Sequence, residues 1–409
     1  MGEQAKNIVQ RRRVFFIPGF DPFPPRRYRE LYRCESQRQA AISGFDISVS
    51  GADVENGFGW KVEAQIDGAE VCTDVEVLVW SDLVRDRMQA SVWATYGLMV
   101  RTLWLYLSTG AFLRLAKLRK GPVVAALYPV VILLGQALLA LLVAVGANWL
   151  FDAIFVAALG PVLGQPISLA LSLGLAALLL RWFRHLDRRL YVYYLMQDYA
   201  FSASHRGADP PALAARVEIF GQRIATALDA GADEVLIIGH STGAQLAVSA
   251  LARVLRKQVP HPSLALLTLG QVVPMVSFLP EAKGLRADLY DLAQSDDVFW
   301  VDVSAPGDGC AFALCDPVKV SGVAPPDQKG PLVLSAAFSQ TLSTAQQSAQ
   351  KWRFLRRHFQ YMCAFERPGD YDYFQITAGP KTLRDRYGCR APSPSRVETP
   401  LNIYTDRAA

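Results

Sequence analysis

Residues 235–251 read VLIIGHSTGAQLAVSAL: four apolar residues, a pentapeptide made of Gly239, His240, Ser241, Thr242 and Gly243, then an alanine-rich run. An uninterrupted apolar stretch of this length suits a strand buried on both faces of a parallel sheet, and the alanines favour a following helix. A tight turn between the two forces its central residue into strained dihedrals, so the residues two positions either side must be small, as Gly239 and Gly243 are. Such a turn presents the Ser241 hydroxyl at a helix N-terminus, where the dipole and free amides stabilise negative charge.

Working outward, strands are expected at 13–18, about 45–50, about 60–66 and 75–80, the middle two forming a hairpin around Asn56-Gly57. Further on come a helix at 211–229, a strand at 234–239, a helix at 242–256 and strands at 264–269, 298–304 and 331–338. Alternation of helices with fully apolar strands predicts an α/β fold, a mostly parallel sheet with helices on both faces. No internal repeat or low-complexity tract interrupts it. The last residues, 391–409, read as a tail.

One segment breaks the alternation. Sixty residues from Gly121 to Leu180 carry a single formal charge, Asp152. A membrane span takes roughly 20 apolar residues, so the stretch predicts two transmembrane helices with a turn within 147–166, where Asn148, Gly160, Pro161, Gly164 and Pro166 fall. Arg114, Lys117, Arg119 and Lys120 precede it and Arg181, Arg184, Arg188 and Arg189 follow it, with no Lys or Arg between. Basic flanks stay cytoplasmic, which puts both ends of the insertion, and with them the rest of the chain, on the cytoplasmic side of a multi-pass membrane protein. Upstream, 91–120 reads either as an amphipathic helix in the headgroup layer or as an ordinary core helix. The expected organisation is therefore 1–89 and 191–390 as two parts of one domain, 90–190 as an insertion and 391–409 as the tail.

Composition agrees with that reading. Of 409 residues, 51% are apolar and 19% charged, too hydrophobic for an average soluble enzyme. The net charge of +5 resolves into +7 over residues 90–190 and −2 over the rest. No nucleic-acid-binding surface is expected; the basic excess brackets the apolar stretch, where anionic lipids would be met. The opening apolar run, VFFIPGF, is too short for a signal peptide, and the six cysteines read as reduced thiols. Cys310 and Cys315 are the only close pair, without the further ligands a zinc site needs, and no P-loop or dinucleotide fingerprint appears. Neither metal nor cofactor is expected.

With its G-H-S-T-G turn between an apolar strand and an alanine-rich helix, the chain resembles the α/β-hydrolase superfamily, specifically the serine lipases and esterases, over roughly 13–85 and 190–365. The resemblance implies Ser241 as nucleophile and an oxyanion loop after the first strand, at Pro18-Gly19-Phe20, with the amides of Phe20 and Thr242 as donors. A plain β-turn is the alternative there. It implies an acid past a later strand: Asp308 in the loop after WVDVS, with Asp302 inside the strand as the alternative acid and Asp316 third. The base must follow the acid in chain order. Of the five histidines (His185, His205, His240, His261, His358) only His358 does. His261 belongs to the opposite sheet edge, and KWRFLRRHFQYM also reads as an amphipathic helix bearing a surface histidine. Residues 271–297 are a candidate cap over the pocket. Asp82, past a strand end, is either functional or a helix N-cap.

The expected function is thus a membrane-anchored serine hydrolase cleaving a lipid-like or small-molecule acyl ester through Ser241, His358 and Asp308, its partners being membrane lipids. Two alternatives remain: a catalytically silent membrane scaffold of the same fold, or an acyltransferase using the same acyl-enzyme. The sequence gives no oligomeric state and no natural substrate.

Overall fold

The structure is a computed structural model that describes residues 8–52, 54, 57–257, 264–351 and 353–408. His261 and Asn56 lie outside these residues. The chain divides into two compact units, one comprising Met1–Arg85, Tyr106–Pro122 and Ala203–Ala409, the other Asp86–Leu105 and Val123–Ser202. Against the expected limits of 90–190, residues 106–122 fall with the first unit and 191–202 with the second.

The first unit is an α/β structure around one mixed, mostly parallel sheet. Its strands are β1 (Arg11–Ile17), β2 (Asp46–Ala52), β3 (Phe58–Ile66), β4 (Ala69–Val77), β5 (Glu234–His240), β6 (Leu264–Leu269), β7 (Val298–Ser304) and β8 (Leu332–Ser335), in the order β2-β3-β4-β1-β5-β6-β7-β8. β2, β3 and β4 form an antiparallel meander, and every other neighbouring pair is parallel. All seven residues of β5 are buried, as the apolar run requires. On one face Val14, Phe16, Leu236, Ile238 and Leu267 join a core with Tyr32, Trp60, Tyr361 and Phe374. The helix Gly243–Leu255 packs along β5, and the helices Pro211–Leu228 and Lys283–Gln294 pack on it.

Several elements differ from the sequence reading. The helix Arg26–Ser43 has no counterpart in it, because its polar residues hide the few that matter; Tyr28, Tyr32, Ser36 and Gln39 make the buried stripe. The last strand is only Leu332–Ser335, since Ala337 at φ 47° turns the chain out of the sheet. Of residues 271–297, a candidate cap, Lys283–Gln294 form the β6–β7 crossover helix, seven of whose residues are buried. Residues 391–408, expected as part of a tail, are not a loose one. The Val397 amide donates to the Leu314 carbonyl at 2.7 Å, and Asn402 is buried with its side-chain amide donating to the Ser277 carbonyl at 2.8 Å.

The second unit contains a 66-residue helical element, Lys120–His185, broken at Gly160 (φ 74°, ψ 168°). It is long and apolar enough to cross a membrane, with a mean hydropathy of 2.6 in its best window, of which only 22% is buried. Trp149 and Val162 are 78% and 83% exposed. A core helix of a soluble protein keeps a polar stripe outward; this one turns apolar residues outward. The Ser172 hydroxyl donates to Asn148 Oδ1 at 3.4 Å. In a straight helix residues 24 apart are separated by about 36 Å, so the chain folds back on itself between them. Val130, Leu133, Ala140, Leu180, Val192, Tyr193 and Met196 pack with Val92 and Met99. The single upstream helix expected over 91–120 is two, Val92–Ser108 and Ala111–Leu118, parted at Gly110 with φ 66°.

Candidate active site

Strand register assembles the site. Ile17 pairs with Gly239, Gly239 with Thr268 and His240 with Leu269, so β1, β5 and β6 end together and their following loops meet at one sheet edge. Ser241 is the first residue past β5. It is held at φ 55°, a left-handed conformation that a residue with a Cβ rarely adopts. Strain of this kind costs on the order of 1–3 kcal/mol and persists where its surroundings impose it. The Ser241 amide donates to the Leu269 carbonyl at 2.9 Å, and its own carbonyl accepts from Ala244 at 3.0 Å. Gly243 is obligatory, because a Cβ there would overlap the carbonyl oxygens of Ile17 and Pro18. At Gly239 a Cβ would lie 2.6 Å from Ala244 Cα.

The loop after β1 sits directly on the serine. A Cβ on Gly19 would be 3.0 Å from Ser241 Cβ. The Trp80 indole donates to the Pro18 carbonyl at 2.8 Å, and its ring meets Phe20 edge-on at 6.0 Å. Phe20 and Thr242 are buried, Thr242 being the residue just before the helix Gly243–Leu255.

The acid and base candidates are brought together. His358 Nδ1 and Asp308 Oδ2 are 2.7 Å apart, both groups buried. Asp308 Oδ2 also accepts from the Tyr361 hydroxyl at 3.0 Å, and Oδ1 from the Cys310 amide at 2.9 Å. Burial alone raises a carboxyl pKa; the His358 charge and these hydrogen bonds outweigh it and hold Asp308 below its ordinary value. A carboxylate facing Nδ1 fixes the proton on that nitrogen and leaves Nε2 as the basic one. His358 Nε2 is buried with no hydrogen-bond partner. Gly270, at φ 53°, closes the seat: a Cβ there would lie 3.1 Å from His358 Cε1.

His240 backs the same histidine. Its Nε2 donates to the His358 carbonyl at 3.0 Å, and the two rings stand 4.6 Å apart. Burial, reinforced by the charge of His358, pushes the His240 pKa down to about 3, so this imidazole is neutral at physiological pH.

The other carboxylates lie elsewhere. Asp302 faces Thr268, whose hydroxyl donates to Oδ1 at 2.6 Å; burial pushes its pKa up to about 8, and its Oδ2 has no hydrogen-bond partner among the described residues. Asp316 caps the short helix Pro317–Val320 by accepting from the Val318 and Lys319 amides. Asp82, in the first turn of the helix Ser81–Met88, binds the Arg216 guanidinium through both oxygens at 2.8 and 2.6 Å. His185 is exposed. Among the described residues, one group has metal-ligating chemistry: Asp308, Cys310 and His358 offer ligand atoms within 4.8 Å of one another. Two of these three residues already share the 2.7 Å hydrogen bond.

Sequence reasoning missed Tyr361, Trp80 and Gly270. Tyr361 lies one helical turn after His358, a spacing that places it beside the same carboxylate. Trp80 closes the apolar run VEVLVW, and Gly270 ends LALLTLG, both at strand ends. No protein-family model matches this chain, and no curated protein or solved structure is significantly similar to it.

Proposed function

We propose that this chain is a membrane-anchored serine hydrolase of the α/β-hydrolase type that cleaves an acyl ester, lipid-like in character. The observation that carries the reading is the buried Asp308–His358 hydrogen bond at the sheet edge where Ser241 is strained beyond β5. In the proposed reaction His358 Nε2 takes the Ser241 proton as Oγ attacks the acyl carbon. The amides of Phe20 and Thr242 stabilise the oxyanion, and His358 returns the proton to the departing alcohol. Asp308 orients the imidazole and stabilises its charged form. Water, activated by the same histidine, then frees the acid and Ser241.

We read Lys120–His185 as two spans joined near Gly160, because one span needs only roughly 20 residues. The basic flanks put both of its ends on the cytoplasmic side. An enzyme held at the bilayer meets lipids at high effective concentration, which is the ground for a membrane-partitioned substrate.

The test is labelling of the detergent-solubilised protein by a fluorophosphonate. Wild type is expected to label and Ser241→Ala to lose the label entirely. Folded wild-type protein that does not label overturns the reading in favour of a silent scaffold. Product analysis with an added alcohol separates hydrolysis from acyl transfer.

A further inference from the structure

We propose that the arginine run leading into His358 receives an anionic, phosphate-type group on the acyl substrate. The proposal rests on the hydrolase reading and names its substrate class.

The first observation is a contrast in pairing. Several guanidinium groups in this unit are matched with carboxylates, such as Arg12 with Glu234 at 2.6 Å, Arg256 with Asp291 at 2.6 Å and Arg286 with Asp406 at 2.7 Å, and others donate to carbonyls, such as Arg119 to Ala313 and Arg384 to Asp296. Arg353, Arg356 and Arg357 stand within five residues, and among the described residues none of their side chains has a carboxylate partner. Arg357 Nε is buried with no hydrogen bond at all. A buried donor left unpaired is destabilising, and a bound anion would offset that.

The second is place. Arg357 precedes His358, and its guanidinium lies on Gly307, the residue before Asp308; a Cβ on Gly307 would be 3.4 Å from Nη2. The cation is thus one residue away from both members of the buried pair. Arginine's planar fork matches phosphate oxygens bidentately.

The third ties the run to residues 119–121, within the same unit. Phe354, half-exposed, covers Gly309 at 3.6 Å from a Cβ position there, and Gly309 also abuts Gly121, at the start of the apolar helix. Arg119 Nε donates to the Ala313 carbonyl at 2.7 Å, so the basic stretch before that helix is fastened to the loop that carries Asp308. The loop that carries Asp308 is therefore packed against residues 119–121.

The experiment uses the full chain in neutral detergent. Two esters of one acyl chain, one with a phosphate-bearing alcohol and one with an uncharged alcohol, are compared as dissolved short-chain monomers and as long-chain lipids in mixed micelles. An uncharged phosphonate probe reports Ser241 reactivity and folding separately. Wild type is expected to favour the phosphate ester by roughly tenfold in kcat/KM, the size of one or two charge-assisted hydrogen bonds. The ratio should approach one in the triple variant Arg353→Gln, Arg356→Gln, Arg357→Gln and recover in part in Arg357→Lys. Equal rates in wild type, or a ratio unchanged in the triple variant, overturn the proposal. A rate that depends only on anionic lipid in the micelle, whatever the ester's charge, assigns the arginines to the bilayer surface and also overturns it. Wild type that fails to label overturns the hydrolase reading itself, and this proposal with it.

Discussion

The body of β7 and the loop beyond it each bury an aspartate, six residues apart, and treat it in opposite ways. Asp302 sits among paired strands whose amides are consumed by the ladder; its single donor is the Thr268 hydroxyl and its Oδ2 has none. Asp308 sits where the chain has left the sheet, so the Cys310 amide is free to turn towards it, alongside Tyr361 and His358. Burial pushes the first carboxyl up to about 8 and is outweighed at the second. Depth does not decide ionisation; the facing His358 charge and the donors beside it do, and such donors are available at strand ends.

The strongest way to break this contrast is to exchange each carboxylate for its amide. Asp308→Asn removes the charge facing His358 and permits the wrong tautomer, so phosphonate labelling and esterase turnover are expected to fall by roughly 10⁴-fold. Asp302→Asn, which faces Thr268, should leave the labelling rate within about twofold of wild type. If the two variants lose activity equally, the acid has been misassigned.

A second measurement sharpens the electrostatic half. The ordinary pKa of an aspartate is 3.8 and that of folded Asp302 is about 8, so between those values the folded state holds the extra proton. Its contribution to stability is complete below about pH 4 and is lost as pH rises through 8. Asp302→Asn is therefore expected to gain on wild type between pH 5 and pH 9, by on the order of 4 kcal/mol in unfolding free energy from denaturant titration of the detergent-solubilised protein. A difference that stays constant with pH would show that Asp302 is ionised when folded. His240 works the other way. Folded near 3 against an ordinary 6.5, it stays neutral while the unfolded chain protonates, so it withdraws stability as pH falls from 6.5 towards 3.

How far the sequence discloses this molecule depends on whether a signal is local. The turn at Ser241 is local: β5 and the helix Gly243–Leu255 follow the apolar run and the alanines almost residue for residue, and Gly239 and Gly243 stand where the turn forbids a Cβ. Chain order and the scarcity of histidines narrow the base to His358, although nothing local says that a half-polar stretch such as KWRFLRRHFQYM buries its histidine against Asp308. Sequence ranks Asp308 above Asp302 only by its place in the loop past the strand; the difference in their surroundings lies in partners brought from 34 and 50 residues away. The helix Arg26–Ser43 stays hidden for a related reason: its buried stripe is two tyrosines, a serine and a glutamine, which no hydropathy pattern reveals. The ordering of residues 391–408 rests on pairings with Leu314 and Ser277, far away in sequence.

The finest test asks whether the donors around Asp308 act as a set. The Tyr361 hydroxyl donates to Asp308 Oδ2 at 3.0 Å while accepting from the Ala305 amide at 3.0 Å, so it fastens the start of the acid loop and the carboxylate together. Tyr361→Phe keeps the ring that packs against Phe338 and removes both bonds. Labelling is expected to slow by roughly three- to tenfold, the worth of one hydrogen bond to a charged acceptor, with a stability loss of about 1 kcal/mol from the orphaned amide. Because the Cys310 amide and His358 still hold Asp308, the loss should stay far short of that in Asp308→Asn. A Tyr361→Phe protein as inactive as Asp308→Asn but equally folded would mean that the phenol, and not the sheet edge with its freed amides, keeps this aspartate charged.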